Sequence, residues 1–327
     1  QQVWLGVYAA INVANEIIDG VPGVPDENFS PEERSEIIAQ AKAIRALAYL
    51  DLLTHWGEHW DTGSEFGLPL ATTSTGSNYA NVVFLERSSV AATYDLIVGD
   101  LEDALAVLED SGDNTRINRA FVQGLLARTF LHKKDYPQAI SYATQVIDNG
   151  NFELNPSYED IFNSDLTGES IFELVYNSLD QSNLALYTIR RDEVRPDPAL
   201  IASFEAGDER RNLIAAVPGF VGERLIKSED FSGNANPAYI MRMAEMYLIR
   251  AEAKFLSESD VAGALTDLNA VRTRAGLPPH ADASNFVDKL LNEIRWEFFG
   301  EGHRMRALAR LNKTEEVLGI EAFRRIY

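Results

Sequence analysis

The sequence predicts an all-α fold of paired antiparallel helices, interrupted by one irregular, loop-rich stretch. Three observations carry this. Apolar residues recur every three to four positions over long windows, as in Ile240, Ala244, Tyr247, Ala251 and Phe255, the stripe of an amphipathic helix. Such windows come in pairs with capping residues before them and glycine or proline after them. Between Phe152 and Asn236 the helical period weakens while Gly, Pro, Asn and Ser become frequent.

The elements follow in order. Residues 3–19 make a first helix, with Trp4, Tyr8, Ile11, Asn15 and Ile18 in phase, ended by Gly20 and Pro22. Val21–Phe29 is a connector. Ser30-Pro31-Glu32-Glu33 opens the next helix with proline at its first position and acid in its first turn. That helix runs to about Trp56 and packs through Ile37, Ala41, Ile44, Ala48 and Leu52. Gly57–Arg87 is a long loop containing the longest uncharged run, Phe66–Leu85. Ser88 or Ser89 starts a helix to Leu108 with Tyr94, Ile97, Leu101 and Leu105 inward. Asn118–Lys133 and Tyr136–Asn149 pair as a hairpin closed by Gly150, with Ala127 and Ala139 at the crossing. In the irregular stretch, Ile171–Tyr176 has the composition of a short strand. Loops of this length in a compact protein are usually functional.

Tyr239–Pro279 is the most explicit hairpin. Its second helix carries Val261, Ala264, Leu265, Leu268, Val271 and Ala275, with Asp260 to cap it, Gly276 for the left-handed C′ position and Pro278–Pro279 to stop it. Ala251 and Ala264 are small residues at facing positions, so the axes come close. This is the tetratricopeptide kind of hairpin, with a unit of ~34 residues. Arg242, Glu245 and Glu252 sit on its apolar first helix and must be paired if buried. Ser284–Phe299 is the last strong helix, with Phe286, Leu290, Ile294 and Phe298 inward. Gly300-Glu301-Gly302 breaks it, and Met305–Leu318 is helical again.

With 327 residues, 46% of them hydrophobic, the chain has material for a large core, and length alone allows two domains. Its 50 acidic and 29 basic residues give a formal charge of −21, which repels phosphate backbones and argues against a nucleic-acid partner. Without cysteine there is no disulfide, thiolate catalysis or Cys-ligated metal. No segment approaches the ~18 uninterrupted apolar residues of a membrane helix. Gln1 falls inside a helical pattern and Tyr327 ends without a terminator, so the chain is expected to continue beyond both ends.

Six blocks in the same order resemble the SusD/RagB family of Bacteroidetes outer-membrane nutrient-binding lipoproteins. They are Ala41-Lys-Ala-Ile-Arg45-Ala-Leu-Ala-Tyr49 with Trp56-Gly57; Gly67-Leu-Pro69-Leu with Arg87-Ser-Ser-Val and Tyr94…Asp100-Leu101; and Glu169-Ser-Ile-Phe172-Glu173. The C-terminal three are Arg242-Met-Ala-Glu245-Met-Tyr247-Leu…Ala251-Glu252-Ala253, Leu268-Asn269…Val271-Arg272…Arg274-Ala275-Gly276, and Glu297-Phe…Glu301-Gly302-His303-Arg304. Two departures stand out. Ala307-Leu308 replaces the family's usual Asp-Leu, which removes a structural ion pair. The region between the strand and the Arg242 helix is also short, and family members often carry ligand contacts there.

The resemblance implies one SusD-like domain over residues 1–327, a tetratricopeptide-like α-α superhelix of about four helical hairpins. Its helical scaffold would span 1–150 and 237–327, with an irregular insertion at 151–236. It also implies non-catalytic binding of oligosaccharide or polysaccharide, delivery to a SusC-like TonB-dependent transporter, and a lipid anchor on a cysteine upstream of Gln1. The location would be the cell surface of the outer membrane.

Sugar rings present apolar C–H faces and hydroxyl edges, so they suit aromatic platforms flanked by polar side chains. The loop Trp56-Gly-Glu-His59-Trp60-Asp61, followed by the uncharged run to Asn81, offers His59, Trp60, Asp61, Asn78 and Tyr79 as glycan contacts. Trp56 is in helical phase and is expected in the core. A second loop offers Tyr187, Arg190 and Arg191, whose guanidinium groups suit an acidic glycan, with ion pairing to Asp192 and Glu193 as the alternative. His55 and His59 lie four apart, but Gly57 interrupts the helix and no third ligand follows, so no metal is expected. Arg242, Glu245, Glu252, Glu297, Glu301 and Arg304 lie on core-facing segments and are expected to form a structural network rather than a catalytic carboxylate pair. Asp110-Ser-Gly-Asp113-Asn114 lacks calcium-loop spacing and is a turn. No cofactor is expected. The competing functions are an α-helical glycan-active enzyme and a tetratricopeptide scaffold binding peptides.

Overall fold

A computed structural model describes residues 2–25, 27, 30–75, 84–110, 112–163, 166–177, 179–191, 193–227 and 236–319. They divide into two compact units, one of residues 1–111 and 117–142, the other of residues 112–116 and 143–327.

The first unit holds α1 (Gln2–Gly20), α2 (Pro31–Trp56), α3 (Val90–Leu105) and α4 (Arg119–Lys133), and α5 (Tyr136–Asp148) begins in it. Helix α2 starts in a capping box. The Ser30 hydroxyl accepts from the Glu33 N–H at 3.1 Å, and the Glu33 carboxylate accepts from the Ser30 N–H at 2.9 Å. Because α2 packs against both α1 and α3, it buries a broad band, Ala39, Ala43, Ala46 and Leu50 included. Ile44, predicted to face inward, is 40% exposed. On α3, capped by Ser89, Tyr94, Ile97 and Leu101 are fully buried as expected. The α4–α5 pair follows the predicted hairpin, with Ala127 and Ala139 both buried and Phe130 stacked on Tyr142 at 5.8 Å.

A buried polar cluster fixes this unit's long loop. The Arg45 guanidinium donates twice to the Asp100 carboxylate, both at 2.7 Å, and once to Asn15 Oδ1 at 2.7 Å. From the same faces, Tyr8 donates to the Pro69 carbonyl (2.8 Å) and Asn15 to that of Ala71 (3.0 Å). The Tyr49 hydroxyl donates to Ala71 O (3.0 Å) and accepts from Ala71 N–H (2.7 Å). Residues 69–75 carry no regular structure, yet side chains of α1 and α2 satisfy several of their backbone polar groups, those of Pro69, Ala71 and Ser74 among them.

In the second unit the irregular stretch contains α6 (Asp160–Asn163), β1 (Ser170–Leu174), a π-helical turn (Leu186–Arg190), α7 (Pro198–Ile201), β2 (Ile214–Ala216) and β3 (Glu223–Leu225). It continues through β4 (Ala238–Arg242), α8 (Met243–Leu256), α9 (Val261–Arg274), α10 (Phe286–Glu297), α11 (His303–Arg310) and α12 (Thr314–Leu318). The strand pair β1–β4 is antiparallel, with Ser170 opposite Arg242 and Glu173 opposite Tyr239; β2 pairs with β3. Ile240, assigned to a helical stripe, therefore lies in a strand. The helix starts three residues later, after Arg242 in extended backbone.

Helices α8 and α9 form the predicted hairpin. Ala251 and Ala264 are 0% exposed within a core of Ala244, Leu248, Leu268 and Val271, which Phe286 and Leu290 of α10 complete. Asp260 caps α9 through the Gly263 N–H at 2.8 Å, and Gly276 takes a left-handed φ of +82°. A smaller core joins Tyr158, Ile161, Leu213, Ile214 and Leu225 to Phe299. Among the described residues no helix is long and apolar enough to cross a membrane.

Candidate functional site

The loop after α2 is built tightly from its first residue. Gly57 caps α2 through Leu53 O at 2.9 Å, and Glu58 N–H donates to Phe66 O at 3.1 Å, closing a small loop over Trp60 to Glu65. Inside it, the Asp61 carboxylate accepts from the Gly63 N–H at 2.9 Å, an Asx turn. Ser64 donates to the Glu58 carboxylate at 2.6 Å. Gly67 N–H donates to Ser88 O and Ser88 N–H to Leu68 O, each at 2.9 Å, so the loop zips onto the residues just before α3. A methyl group on Gly67 would lie 2.3 Å from Ser89 O, which makes glycine obligatory there. Arg87 donates to the carbonyls of Trp56 (3.2 Å) and Gly67 (3.1 Å).

On this frame Trp60 is half-buried and Asp61 exposed. His59, predicted as a contact, is 0% exposed. Its ring meets Trp60 edge-to-face at 5.1 Å and His132 at 4.9 Å, with the two Nδ1 atoms of the histidines 3.2 Å apart. One donates and the other accepts, so the pair holds without either being charged. The Tyr94 hydroxyl donates to His59 O at 2.7 Å. His59 thus packs against the Trp60 ring from a buried position instead of facing outward. Its burial depends on His132, 73 positions on, and no local signal announces it. His55 is exposed, its Nδ1 2.7 Å from Asp51 O, so the two histidines have different surroundings. Among the described residues no three metal-ligating side chains converge.

Trp56, expected in the core, is half-buried, edge-on to Trp4 at 5.5 Å. Phe66, which the sequence reading passed over, is 54% exposed, and its backbone is bonded to Glu58, two residues before Trp60. A lone aromatic opening an uncharged run was the available signal. Asn78 and Tyr79 lie outside the described residues.

In the second unit the π-helical turn presents Tyr187, Arg190 and Arg191 outward, while Ala185 and Ile189 are buried against Val217. The Arg191 guanidinium lies 6.0 Å from the Tyr187 ring centroid and 3.8 Å from the Glu193 carboxylate, both partners being more than half exposed. Such a pair is weak and leaves the guanidinium open to a competing anion. Asp192, its other predicted partner, lies outside the described residues.

The charged block of the C-terminal half is structural. Arg242, 1% exposed, donates to Glu169 at 2.7 Å, to Glu297 at 2.9 Å and to Glu301 at 3.0 Å. Arg274 pairs with Glu297 at 2.5 Å. Arg210 meets Asp208 at 2.8 Å and Glu293 at 2.7 Å. Glu252 receives Arg310 at 2.6 Å. Burial opposes ionisation of Glu297, but Arg274, Arg242 and Arg210 outweigh it and hold the carboxyl down, to about 2. A carboxyl held so far down stays ionised at neutral pH and is poorly matched to general-acid work there. Lys227 donates to Glu301 at 2.6 Å and sits 3.9 Å from the Phe299 ring centroid. Burial lowers its pKa to about 8.

Two family models match the chain: the SusD family over residues 219–322, and "Starch-binding associating with outer membrane" over residues 1–131. A SusD-like protein of Bacteroides ovatus is 23% identical over 90% of this chain, which spans 62% of that protein's length. The crystal structure of a SusD superfamily protein from Bacteroides thetaiotaomicron is 26% identical with a TM-score of 0.81, covering 94% of this chain and 74% of that one. Surface glycan-binding protein A from the same species, solved with laminarihexaose, is 22% identical with a TM-score of 0.76 over 97% of this chain and 77% of its own. That last likeness is one of fold.

Proposed function

We propose that this chain, which belongs to the SusD/RagB family, binds oligosaccharide or polysaccharide without cleaving it and delivers it to a SusC-like TonB-dependent transporter. It would work at the cell surface, held to the outer membrane by a lipid anchor upstream of residue 1. The observation that carries the binding reading is the Trp60 ring, half-exposed on a loop whose backbone is bonded at both ends and backed by the buried His59. A fixed aromatic face accepts a sugar's C–H face without first losing conformational freedom. Asp61 and Phe66 flank it, the one an acceptor for hydroxyls and the other a second apolar surface. Tyr187, Arg190 and Arg191 are proposed as a second set of contacts, with Asn78 and Tyr79 extending the first.

Support for the ligand class comes from the starch-binding family description over residues 1–131 and from the relative solved with laminarihexaose. Glu169 and Glu297 are ion-paired in the core and Asp61 is engaged in a turn, which favours binding over hydrolysis. Affinity is modest on this reading, because each sugar offers little apolar area and every displaced water must be matched. Native electrophoresis through gels containing a panel of polysaccharides tests it. Retarded migration in at least one, with no new reducing ends after incubation, is the expected outcome. New reducing ends would establish a glycan-active enzyme instead, and no retardation in any gel would remove the glycan reading.

A further inference from the structure

Arginine in this second unit is, as a rule, matched by carboxylate. Arg210, Arg242, Arg272 and Arg274 each have an acidic oxygen within 2.8 Å. Arg295 and Arg304 are not matched in this way, and they face the same recess. Arg295 of α10 and Arg304 of α11 line a cavity of about 520 Å³ together with Leu200, Phe298, Met305 and Val317. Neither has an ion pair within 4.0 Å among the described residues, and Arg304 Nη1 is buried without a hydrogen-bond partner. A buried donor left unsatisfied is destabilising, the more so when it is charged. Burial lowers the pKa of both groups, and Arg295 lowers that of Arg304 further, to about 10. Both stay protonated at neutral pH, so two positive charges repel across a partly desolvated space.

What opposes them is slight. Asp197 also lines the recess and its charge favours protonated Arg295 against burial, but among the described residues it forms no ion pair within 4.0 Å and accepts from the Ala199 N–H at 2.6 Å as the cap of α7. Helix α11 starts at Gly302 without any side-chain cap, so its N–H groups and positive dipole end add to the field. At the next turn, position 307 is a buried alanine. The helix thus brings no carboxylate of its own to answer Arg304.

We propose that this recess binds the carboxylate of a small organic acid. The planar guanidinium of Arg304 would take it in bidentate fashion with Arg295 as second donor, and the acid's carbon skeleton would rest on Phe298, Met305 and Val317. A carboxylate fits better than a strongly hydrated inorganic anion because guanidinium groups match it geometrically and the rest of the lining is mostly apolar. The acid's source is either a free metabolite or a uronate residue of an acidic glycan. The site stands within the second unit and does not depend on the Trp60 reading.

The test uses the intact chain. Galacturonate, its neutral parent galactose, oligogalacturonate, benzoate and inorganic phosphate are each titrated by calorimetry and by thermal shift. Galacturonate or benzoate should bind and raise the melting temperature while galactose does not. R304Q should weaken binding by about tenfold or more, as expected for loss of a charge-assisted bidentate contact. R304Q should fold at least as stably as the parent, since it removes a half-buried charge whose Nη1 has no hydrogen-bond partner, and R295Q serves as the second variant. Binding by oligogalacturonate but neither monomeric acid assigns the site to an acidic glycan; binding by the monomers assigns it to free acids. The proposal is overturned if no acid binds, if phosphate binds as tightly as the carboxylates, or if both variants bind undiminished. Retention of neutral polysaccharides in gels is independent of all these outcomes, so failure here and failure of the glycan reading are distinguishable.

Discussion

Gly67→Ala concentrates the structural reasoning into one methyl group. The added Cβ would lie 2.3 Å from Ser89 O, 2.5 Å from Ser89 C and 2.6 Å from Ser88 O. All three are backbone atoms, so no side-chain rotation relieves the clash. Ordinary contact begins near 3.4 Å, so the two segments must part by 3.4 − 2.3 = 1.1 Å. Adding that to the 2.9 Å bonds Gly67 N–H to Ser88 O and Ser88 N–H to Leu68 O gives 4.0 Å, beyond hydrogen-bond range. Two lost bonds at ~1 kcal/mol each, with ~1–3 kcal/mol of overpacking, put the cost at about 3 kcal/mol or more. Gly99→Ala is the matched control. Nothing lies within 4 Å of its Cβ and it sits inside α3, so the same methyl should stabilise by ~0.5–1 kcal/mol. Urea denaturation followed by circular dichroism measures both. Equal effects, or a Gly67→Ala midpoint within ~0.5 kcal/mol of the parent, would refute the packing argument.

Other outcomes follow from the buried charges. Arg242→Met takes one buried partner from each of Glu169, Glu297 and Glu301, leaving them to Arg274 and Lys227, and should cost ~3–5 kcal/mol by urea titration; a change below about 1 kcal/mol would show the network to be dispensable. Glu297 is held down to about 2, against an ordinary 4.5, so the unfolded state binds more protons between those values. The stability it confers is complete above pH 4.5 and is lost as pH falls toward 2, and Glu297→Gln should flatten that part of the acid limb. Lys227 is lowered from 10.5 to about 8. The unfolded chain again binds the extra proton, so this group's contribution makes stability rise between pH 8 and 10, and Lys227→Met should remove the slope. Above pH 10 the half-buried Tyr8 and the buried Tyr49 and Tyr158, whose pKa values are raised chiefly by desolvation, reverse the trend.

Local features were legible in the sequence and non-local ones were not. The Ser30 capping box, the Asp260 cap, the Gly276 terminator and the Ala251–Ala264 crossing depend on residues a few positions apart or on one hairpin, and each is found where the spacing put it. Strand β4 was hidden because Ile240 continues the helical phase of α8; only pairing with β1, some seventy residues upstream, makes it a strand. Charges on an apolar segment announced that Arg242 and Glu252 must be paired, but not with whom. At the site, Trp60 and Asp61 were visible as an aromatic and an acid in a loop. The burial of His59 was not, since it is produced by His132 and Tyr94 on other helices. Arg304 was assigned to the ion network by its neighbours in the motif, yet its guanidinium faces the recess instead.

The central claim is that a fixed aromatic surface at Trp60 binds glycan. Calorimetric titration of the polysaccharide that most retards the protein, into the parent and into Trp60→Ala, tests it most directly. Losing a sugar-stacking ring should remove ~1–2 kcal/mol, a weakening of about tenfold, without a change in melting temperature beyond a few degrees. Equal affinity in the two proteins would contradict the claim and move the site away from this loop.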